Sequence, residues 1–373
     1  MKRVVIIMAG GSGERFWPLS RMKKPKQLLA LTSEKMMLEE AIDRVAGIIP
    51  NEDIFIITSE VLLNPIREAL PQLPGQNIIA EPYKRNTAPC LALAAGYIAA
   101  KYAKEFSTEQ ISVSVLTADQ EINPTKGFKN TVTEILDFVE SNEAICTIGI
   151  NPIRPETGYG YVETASSFKD LNTCEILPVK AFHEKPNLEK AKEYANSGVH
   201  FWNSGMFFFR LDTFINGMIK YLPEVGSKIS DIQTAYQDNT EIAFENAFKG
   251  ISSIFENFPD ISIDYGLMER YDNIYTANAL FNWDDVGSWD ALDRVKEKNE
   301  NGNIIEGIEA IIDCNNSIFV NKSSGKIAIG AIGLDGFVVV VTDDSVMICP
   351  KDKVQDVKKC VQKLKTNDNN QWT

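Results

Sequence analysis

The residues best suited to chemistry come early in the chain. Gly10, Gly11, Ser12 and Gly13 form a glycine loop, Arg15 follows it, and Lys23, Lys24 and Lys26 cluster around Pro25. Without a Cβ, glycine reaches φ > 0 and lets backbone N–H groups close on a ligand, so such a loop can seat phosphate oxygens. The cations after it can meet those oxygens from more than one side. A dinucleotide fingerprint would need a third glycine where Phe16 stands, and Pro18 interrupts the helix it would open, which argues against a nicotinamide oxidoreductase. A second set of residues is acidic. Asp119 follows the apolar run Ser112–Leu116, and a carboxylate at a strand's carboxyl end beside a phosphate loop is a natural ligand for Mg²⁺. Asp284 and Asp285 stand side by side before Gly287, an arrangement that calls for a cation, for hydrogen-bond donors or for open solvent.

The elements that must position these groups follow from hydrophobic period. Val4 to Met8 is a continuous apolar run that reads as a strand buried on both faces, and it delivers the chain into the glycine loop. Met37, Leu38, Ala41, Ile42 and Val45 recur at helical spacing, strands are predicted at 53–58, 77–80, 112–116 and 144–150, and helices at 87–104 and 128–139. This rhythm predicts an α/β fold with a parallel sheet and helices on its faces. In such sheets ligands sit at the carboxyl ends of strands, where Glu81, Arg85 and Asn86 would stand. A carboxylate there could accept from the N1–H and exocyclic amine of guanine, while Asn86 or Thr87 could simply cap the helix that follows.

After Ile150 the pattern changes to glycines, aromatics and shorter strands. Residues 158–163 read as a strand in which glycine admits either a ligand or aromatic packing. A strand at 179–182 runs into His183, Glu184, Lys185 and Pro186, Asn187 caps a helix, residues 202–205 read as a turn, and a further helix begins at 262. The tail from 304 to 350 alternates β-branched runs with Asn, Gly and Asp turns and closes in a helix over 354–364. No internal repeat is evident.

The totals narrow the partners. A net charge of −13 over 373 residues offers no general field for nucleic acid, whereas a small phosphate ligand needs only a local basic cluster. No apolar run reaches the length of a membrane span and no signal peptide precedes the first strand, so the cytoplasm is the expected compartment. The six cysteines lack CxxC spacing and read as reduced and mostly buried. With only His183 and His200 present, neither a histidine-rich metal site nor a serine-type triad is expected, and His183 reads as structural.

The sequence GGSGERFWPLSR at 10–21 followed by KPKQ at 24–27 resembles the signature of nucleotide-sugar pyrophosphorylases, in the form carried by mannose-1-phosphate guanylyltransferases. EPYKRNTAP at 81–89, FHEKP at 182–186, SIDYGLME at 262–269 and WDDVGSW at 283–289 resemble later motifs in the same order. The resemblance implies a Rossmann-like, mostly parallel sheet with helices on both faces over residues 1–298. It implies a small β-rich, left-handed β-helix-like appendage over 299–373, supporting assembly rather than chemistry. It implies Mg²⁺-dependent transfer of GMP from GTP to mannose 1-phosphate by a homodimer without nucleic acid or membrane partners. Arg15 and Lys26 would be catalytic, and Ala9, Gly10, Gly11, Gly13, Glu81, Arg85, Asn86 and Thr87 would hold the nucleotide. Gly160, Glu163, Glu184, Lys185, Asn203 and Asp264 would hold the sugar phosphate, and Asp119 with Asp285, rather than Asp284, the metal. Gln120 departs from the family, which has histidine after this aspartate. The phosphomannose isomerase domain of bifunctional relatives is not expected within these 373 residues. Another hexose or base, or a non-catalytic regulatory subunit, stays open as an alternative.

Overall fold

The computed structural model describes residues 1–237, 244–367 and 369–373. Strands β1 (Lys2–Met8), β2 (Ile54–Ser59), β3 (Ile78–Glu81) and β4 (Ile111–Thr117) run parallel in the order β3-β2-β1-β4. Alternate residues of β1 enter different cores. Val4 and Ile6 pack with the long helix over Thr87–Tyr102, and Val5 and Ile7 pack toward the opposite layer. Both faces are therefore covered, which is why the strand carries no polar alternation.

The short strand β5 (Glu121–Asn123) leaves this sheet, which continues through β6 (Ile145–Ile150), β7 (Tyr161–Thr164), β8 (Ile176–His183), β9 (His200–Arg210) and β10 (Ile274–Asn278). The full order is β3-β2-β1-β4-β9-β6-β10-β8-β7, with β9 also pairing β7. Here the sheet is mixed, because β9 runs antiparallel to β4, β6 and β7. Residues 202–205, expected as a turn, lie inside β9. Gly205 takes φ +73° there, and the register with β6 shifts between Thr147 and Gly149. Helices α1 (Met37–Val45), α2 (Glu60–Ala69), α3 (Thr87–Tyr102), α4 (Thr125–Ser141) and α5 (Leu188–Ser197) pack around the sheet. The alanine-rich α3 is buried along most of its length, and at Gly96 an added Cβ would meet Ile232 at 2.6 Å.

Beyond β11 (Asn282–Asp284), which pairs with β5, the tail contains β12 (Ile304–Glu306), β13 (Glu309–Ile312), β14 (Ile318–Asn321), β15 (Ile329–Ile332), β16 (Phe337–Val341) and β17 (Val346–Pro350). Ile318 pairs with Val338 and Glu309 with Ile329, so the parallel strands stack as coils twenty residues apart (318 to 338, 309 to 329). The tail shares a core with the first part: Phe16, Leu29 and Trp289 pack with Ile318, Val338 and Val357. Its last helix, Val357–Thr366, lies against the signature loop, where Lys365 pairs with Glu14 at 2.7 Å and Trp17 Nε1 donates to the Trp372 carbonyl at 2.8 Å. Among the described residues no helix is long and apolar enough to cross a membrane.

Candidate active site

The glycine loop leaves β1 with its carbonyls turned inward. Gln27 Nε2 donates to the Ala9 carbonyl at 2.7 Å and to that of Gly11 at 3.2 Å, and Thr58 Oγ1 donates to Ala9 at 2.9 Å. The N–H groups of residues 10 to 13 have no partner among the described residues. Gly10 and Gly11 face open space, whereas Gly13 takes φ +62° and a Cβ there would stand 2.5 Å from Lys26 Cβ. Gly13 is thus required by the fold, and Gly10 and Gly11 leave room for something that approaches closely.

Lys26 is buried and collects the acidic groups. Its Nζ donates to the Asp119 carbonyl at 2.7 Å, to Asp119 Oδ2 at 3.0 Å and to the Asp285 carbonyl at 2.7 Å. Asp119 arrives from the end of β4 and Asp285 from the end of β11, and the β5–β11 pair holds the two segments together. The adjacent acids divide their roles. Asp284 is buried and accepts from Arg294 Nη2 at 2.9 Å and from the Val286 N–H at 2.8 Å, so it is a structural group. Asp285 Oδ1 accepts from Tyr159 Oη at 2.6 Å. Burial raises the Asp285 carboxyl above the usual carboxylate range, Asp284 adds to the rise, and Tyr159 and Lys26 oppose it. A carboxylate in that position gains from a cation beside it. With the half-exposed Asp119, it forms a hard oxygen donor set that fits a divalent ion such as Mg²⁺.

These acids line a cavity of about 380 Å³ with Gly13, Arg15, Lys26 and Lys358, the last from the C-terminal helix. Arg15 is exposed, with its Nη1 3.5 Å from the Gly287 carbonyl. A neighbouring cavity of about 230 Å³ runs between Gly10, Gly11, Ser59 and Lys84 on one side and Val361, Lys365 and Thr373 on the other. Glu81 ends β3 opposite Ser59 of β2. Burial pushes its carboxyl up to about 7, against the Cys90 thiol and Lys84. Arg85, Asn86 and Thr87 are engaged in holding the scaffold around the start of α3. Arg85 donates to the Phe255 and Glu256 carbonyls, Asn86 caps the helix by accepting from Thr87 N–H at 3.0 Å, and Thr87 Oγ1 accepts from Ile263 N–H at 2.8 Å. The structure does not bring these three into the group around the glycine loop.

Five of the six sugar-side residues do converge. A Cβ on Gly160 would stand 2.5 Å from Glu184 Oε2 and 3.7 Å from Asn203 Cβ. Lys185, held at φ +45°, donates to Glu184 Oε1 at 2.7 Å. Asn203 Nδ2 donates to Asp264 Oδ1 at 3.0 Å, while its Oδ1 accepts from Thr147 Oγ1 at 2.9 Å. Burial raises Asp264 to about 6, and nearby Glu184 adds to the rise. Glu163 is the exception: three residues past Gly160 on a strand, it points to the opposite face and contacts Lys180 and His183 instead.

Sequence reasoning passed over Gln27, Tyr159 and Lys358. Gln27 stood inside the KPKQ motif, and that was the available signal. Tyr159 and Lys358 reach the site across long sequence separations and gave none. Gln120 is buried, donating to the Ser204 carbonyl at 2.8 Å and accepting from Trp283 Nε1 at 2.8 Å, so it ties β9 to β11 beside Asp119.

The fold and this site define a nucleotidyltransferase. The nucleotidyl transferase family matches residues 4–302, and the MannoseP isomerase/GMP-like beta-helix domain matches 309–364. A mannose-1-phosphate guanylyltransferase of Klebsiella pneumoniae is 36% identical over 98% of this chain and 75% of its own length, and one of Escherichia coli is 33% identical over 97% and 75%. A crystal structure described as mannose-1-phosphate geranyltransferase from Thermus thermophilus superposes with a TM-score of 0.81 at 28% identity, covering 98% of this chain and all of that one. The chain belongs to the mannose-1-phosphate guanylyltransferase family, enzymes of nucleotidyl transfer to a sugar phosphate.

Proposed function

We propose that the protein transfers GMP from GTP to mannose 1-phosphate, releasing pyrophosphate, with Mg²⁺ held by Asp119 and Asp285. The observation that carries this reading is the meeting of both acidic segments on one ammonium, Lys26, beside a glycine loop with free N–H groups. The relatives' names support the choice of guanine and mannose. Bound Mg²⁺ would supply charge neutralisation on the triphosphate.

The chain's own residues do the rest. The loop N–H groups, Arg15 and Lys358 oppose the charge of the triphosphate, and Lys26 fixes the two carboxylate segments. Glu81, as carboxylate, accepts from the guanine N1–H and exocyclic amine. Lys185 meets the sugar phosphate, Glu184 accepts from sugar hydroxyls, and Asp264 holds the Asn203 amide in one orientation. The sugar phosphate is already ionised, so its oxygen attacks the α-phosphorus without a side-chain nucleophile, and the bond to pyrophosphate breaks. Holding two anions in line is where orientation acts, for which about 7–11 kcal/mol is available in well-aligned systems. The division at 298/299, a cytoplasmic setting and a homodimer belong to the same reading.

The test is pyrophosphate release from purified protein with Mg²⁺ and mannose 1-phosphate, comparing GTP with ATP, UTP, CTP and dTTP, and repeating with glucose 1-phosphate. Release confined to GTP with mannose 1-phosphate is expected. Release with another pair moves the specificity and keeps the mechanism, and no release from folded protein that still binds nucleotide sugar favours a regulatory subunit.

A further inference from the structure

The chain has two histidines, and both face one carboxylate. Glu163 on β7 stands directly across from His200 on β9, and His183 ends β8 on the other side of β7. His183 Nε2 lies 3.1 Å from Glu163 Oε2 and His200 Nε2 3.8 Å from the same oxygen, and the three ligand atoms fall within 4.8 Å of one another. Sequence spacing gave no hint of this, because the residues come together only through the β8-β7-β9 pairing.

The surroundings fix both rings. Tyr194 of α5 stacks on His200 with centroids 4.2 Å apart and planes 11° off parallel, and it lies 4.9 Å from His183. Ser197 Oγ lies 2.7 Å from His200 Nδ1 and 2.9 Å from the Tyr194 carbonyl. A hydroxyl has one proton. The same Oγ accepts from the Val199 and His200 N–H groups at 3.2 Å; with its proton turned to Nδ1 the ring carries Nε2–H toward Glu163, and with its proton turned to the carbonyl Nδ1 carries the ring proton and Nε2 presents a lone pair. In the tautomers with both rings protonated on Nδ1, two Nε2 lone pairs and Glu163 Oε2 converge on one point, which is the arrangement a cation takes. Lys180 Nζ, 3.0 Å from Glu163 Oε1, occupies the other carboxylate oxygen and leaves Oε2 for it.

We propose that Glu163, His183 and His200 form a binding site for a zinc-class divalent cation, separate from the Asp119–Asp285 pair. Two imidazole nitrogens and one carboxylate oxygen suit a borderline ion such as Zn²⁺ or Co²⁺ rather than Mg²⁺. His183 and Glu163 are partly exposed, which leaves an entry path from solvent, and water would complete the coordination. The ion would clamp β7, β8 and β9, from which Gly160, Glu184 and Asn203 project toward the sugar-side group, and this consequence rests on the reading above. The binding itself does not.

The test uses tag-free full-length protein, stripped with EDTA and kept in excess Mg²⁺, and titrated with Co²⁺ and then Zn²⁺. Visible Co²⁺ absorption at one equivalent is expected, displaced by Zn²⁺. In ¹⁵N-labelled wild-type protein both imidazoles should shift together with Zn²⁺, a readout that needs no variant. His183→Gln and His200→Gln, checked for unchanged circular dichroism, should each weaken binding roughly tenfold or more. Imidazole signals that do not move at stoichiometric Zn²⁺ overturn the proposal, as does Co²⁺ absorption with thiolate charge-transfer bands that persists in both variants, since that would assign the ion to cysteine. Neither result depends on whether the protein turns over GTP.

Discussion

The two ends of the site are built in opposite ways. At the phosphate end Lys26 and Asp285 are held, but the groups around them are left open: Arg15 is exposed, the N–H groups of residues 10 to 13 have no partner among the described residues, and among those residues the Asp119 carboxylate is tied only through Lys26. At the sugar end the groups are already engaged: Asn203 holds both Thr147 and Asp264, and Lys185 is paired with Glu184. A triphosphate with a metal brings its own charge and asks mainly for donors that are free to meet it. A neutral sugar ring is recognised by direction, so its partners must be held still beforehand. One end supplies uncommitted charge and the other supplies fixed geometry.

The sharpest way to break this contrast is to exchange the adjacent acids. Asp285→Asn should lower kcat/KM for pyrophosphate release by several kcal/mol of transition-state stabilisation, about 10³-fold, with an unchanged melting temperature. Asp284→Asn should act on stability, costing about 2–3 kcal/mol. That is below the roughly 3–5 kcal/mol of a fully buried pair, because the side chain of Arg294 is 33% exposed. Equal losses of activity from both variants with intact folding would refute the division of roles.

A pH profile tests the base end. Burial raises Glu81 to about 7, so the neutral acid dominates below that value and the carboxylate above it. Guanine offers only donors to this group, hence KM for GTP should rise about tenfold for each pH unit below 7. The sign for stability is opposite. A carboxyl whose folded pKa is raised stabilises the fold while protonated, and that contribution is lost as pH climbs through 7. Glu81→Gln should therefore flatten the KM profile, weaken GTP binding above pH 7 and raise the melting temperature at pH 8.

How much of this was legible in the sequence depends on how local each feature is. The glycine loop, Lys26, Asp119 and Asp285 stand in contiguous motifs whose residue types state their chemistry, and the α/β rhythm up to Ile150 follows from hydrophobic period. Strand alternation was available for Glu163 and would have turned it away from Gly160. Tyr159 and Lys358 are separated from Asp285 and Gly13 by stretches that no spacing rule spans. The twenty-residue coil of the tail was hidden for a different reason: one corner uses Asp313 and Asn316 in the left-handed region and the equivalent corner uses Gly333 and Gly336, so the backbone repeats while the letters do not.

The tail was expected to stay out of the chemistry, and Lys358 measures how far that holds. It lines the phosphate cavity from the C-terminal helix, which also pairs with Glu14 through Lys365. Lys358→Ala should cost one charge-assisted contact, about tenfold in kcat/KM, with KM for mannose 1-phosphate unmoved. A loss confined to thermal stability would return the tail to a supporting role.

The smallest effect concerns Gln120. Its amide donates to the Ser204 carbonyl and accepts from Trp283 Nε1, a donor and an acceptor on one side chain. A neutral imidazole offers the same pair from its two nitrogens, so a histidine at this position would satisfy both partners as well. Gln120→His should leave kcat/KM within about twofold, since the group acts by positioning Asp119 and carries no proton in the reaction. Gln120→Leu is the informative contrast. It fills the same buried space and leaves the Ser204 carbonyl and the Trp283 N–H without partners, at about 1–3 kcal/mol each, so thermal denaturation should register it clearly. If Gln120→His instead changed the rate by orders of magnitude or introduced a new ionisation in its pH profile, the residue would belong to the open, charge-handling end of the site and not to its fixed scaffold.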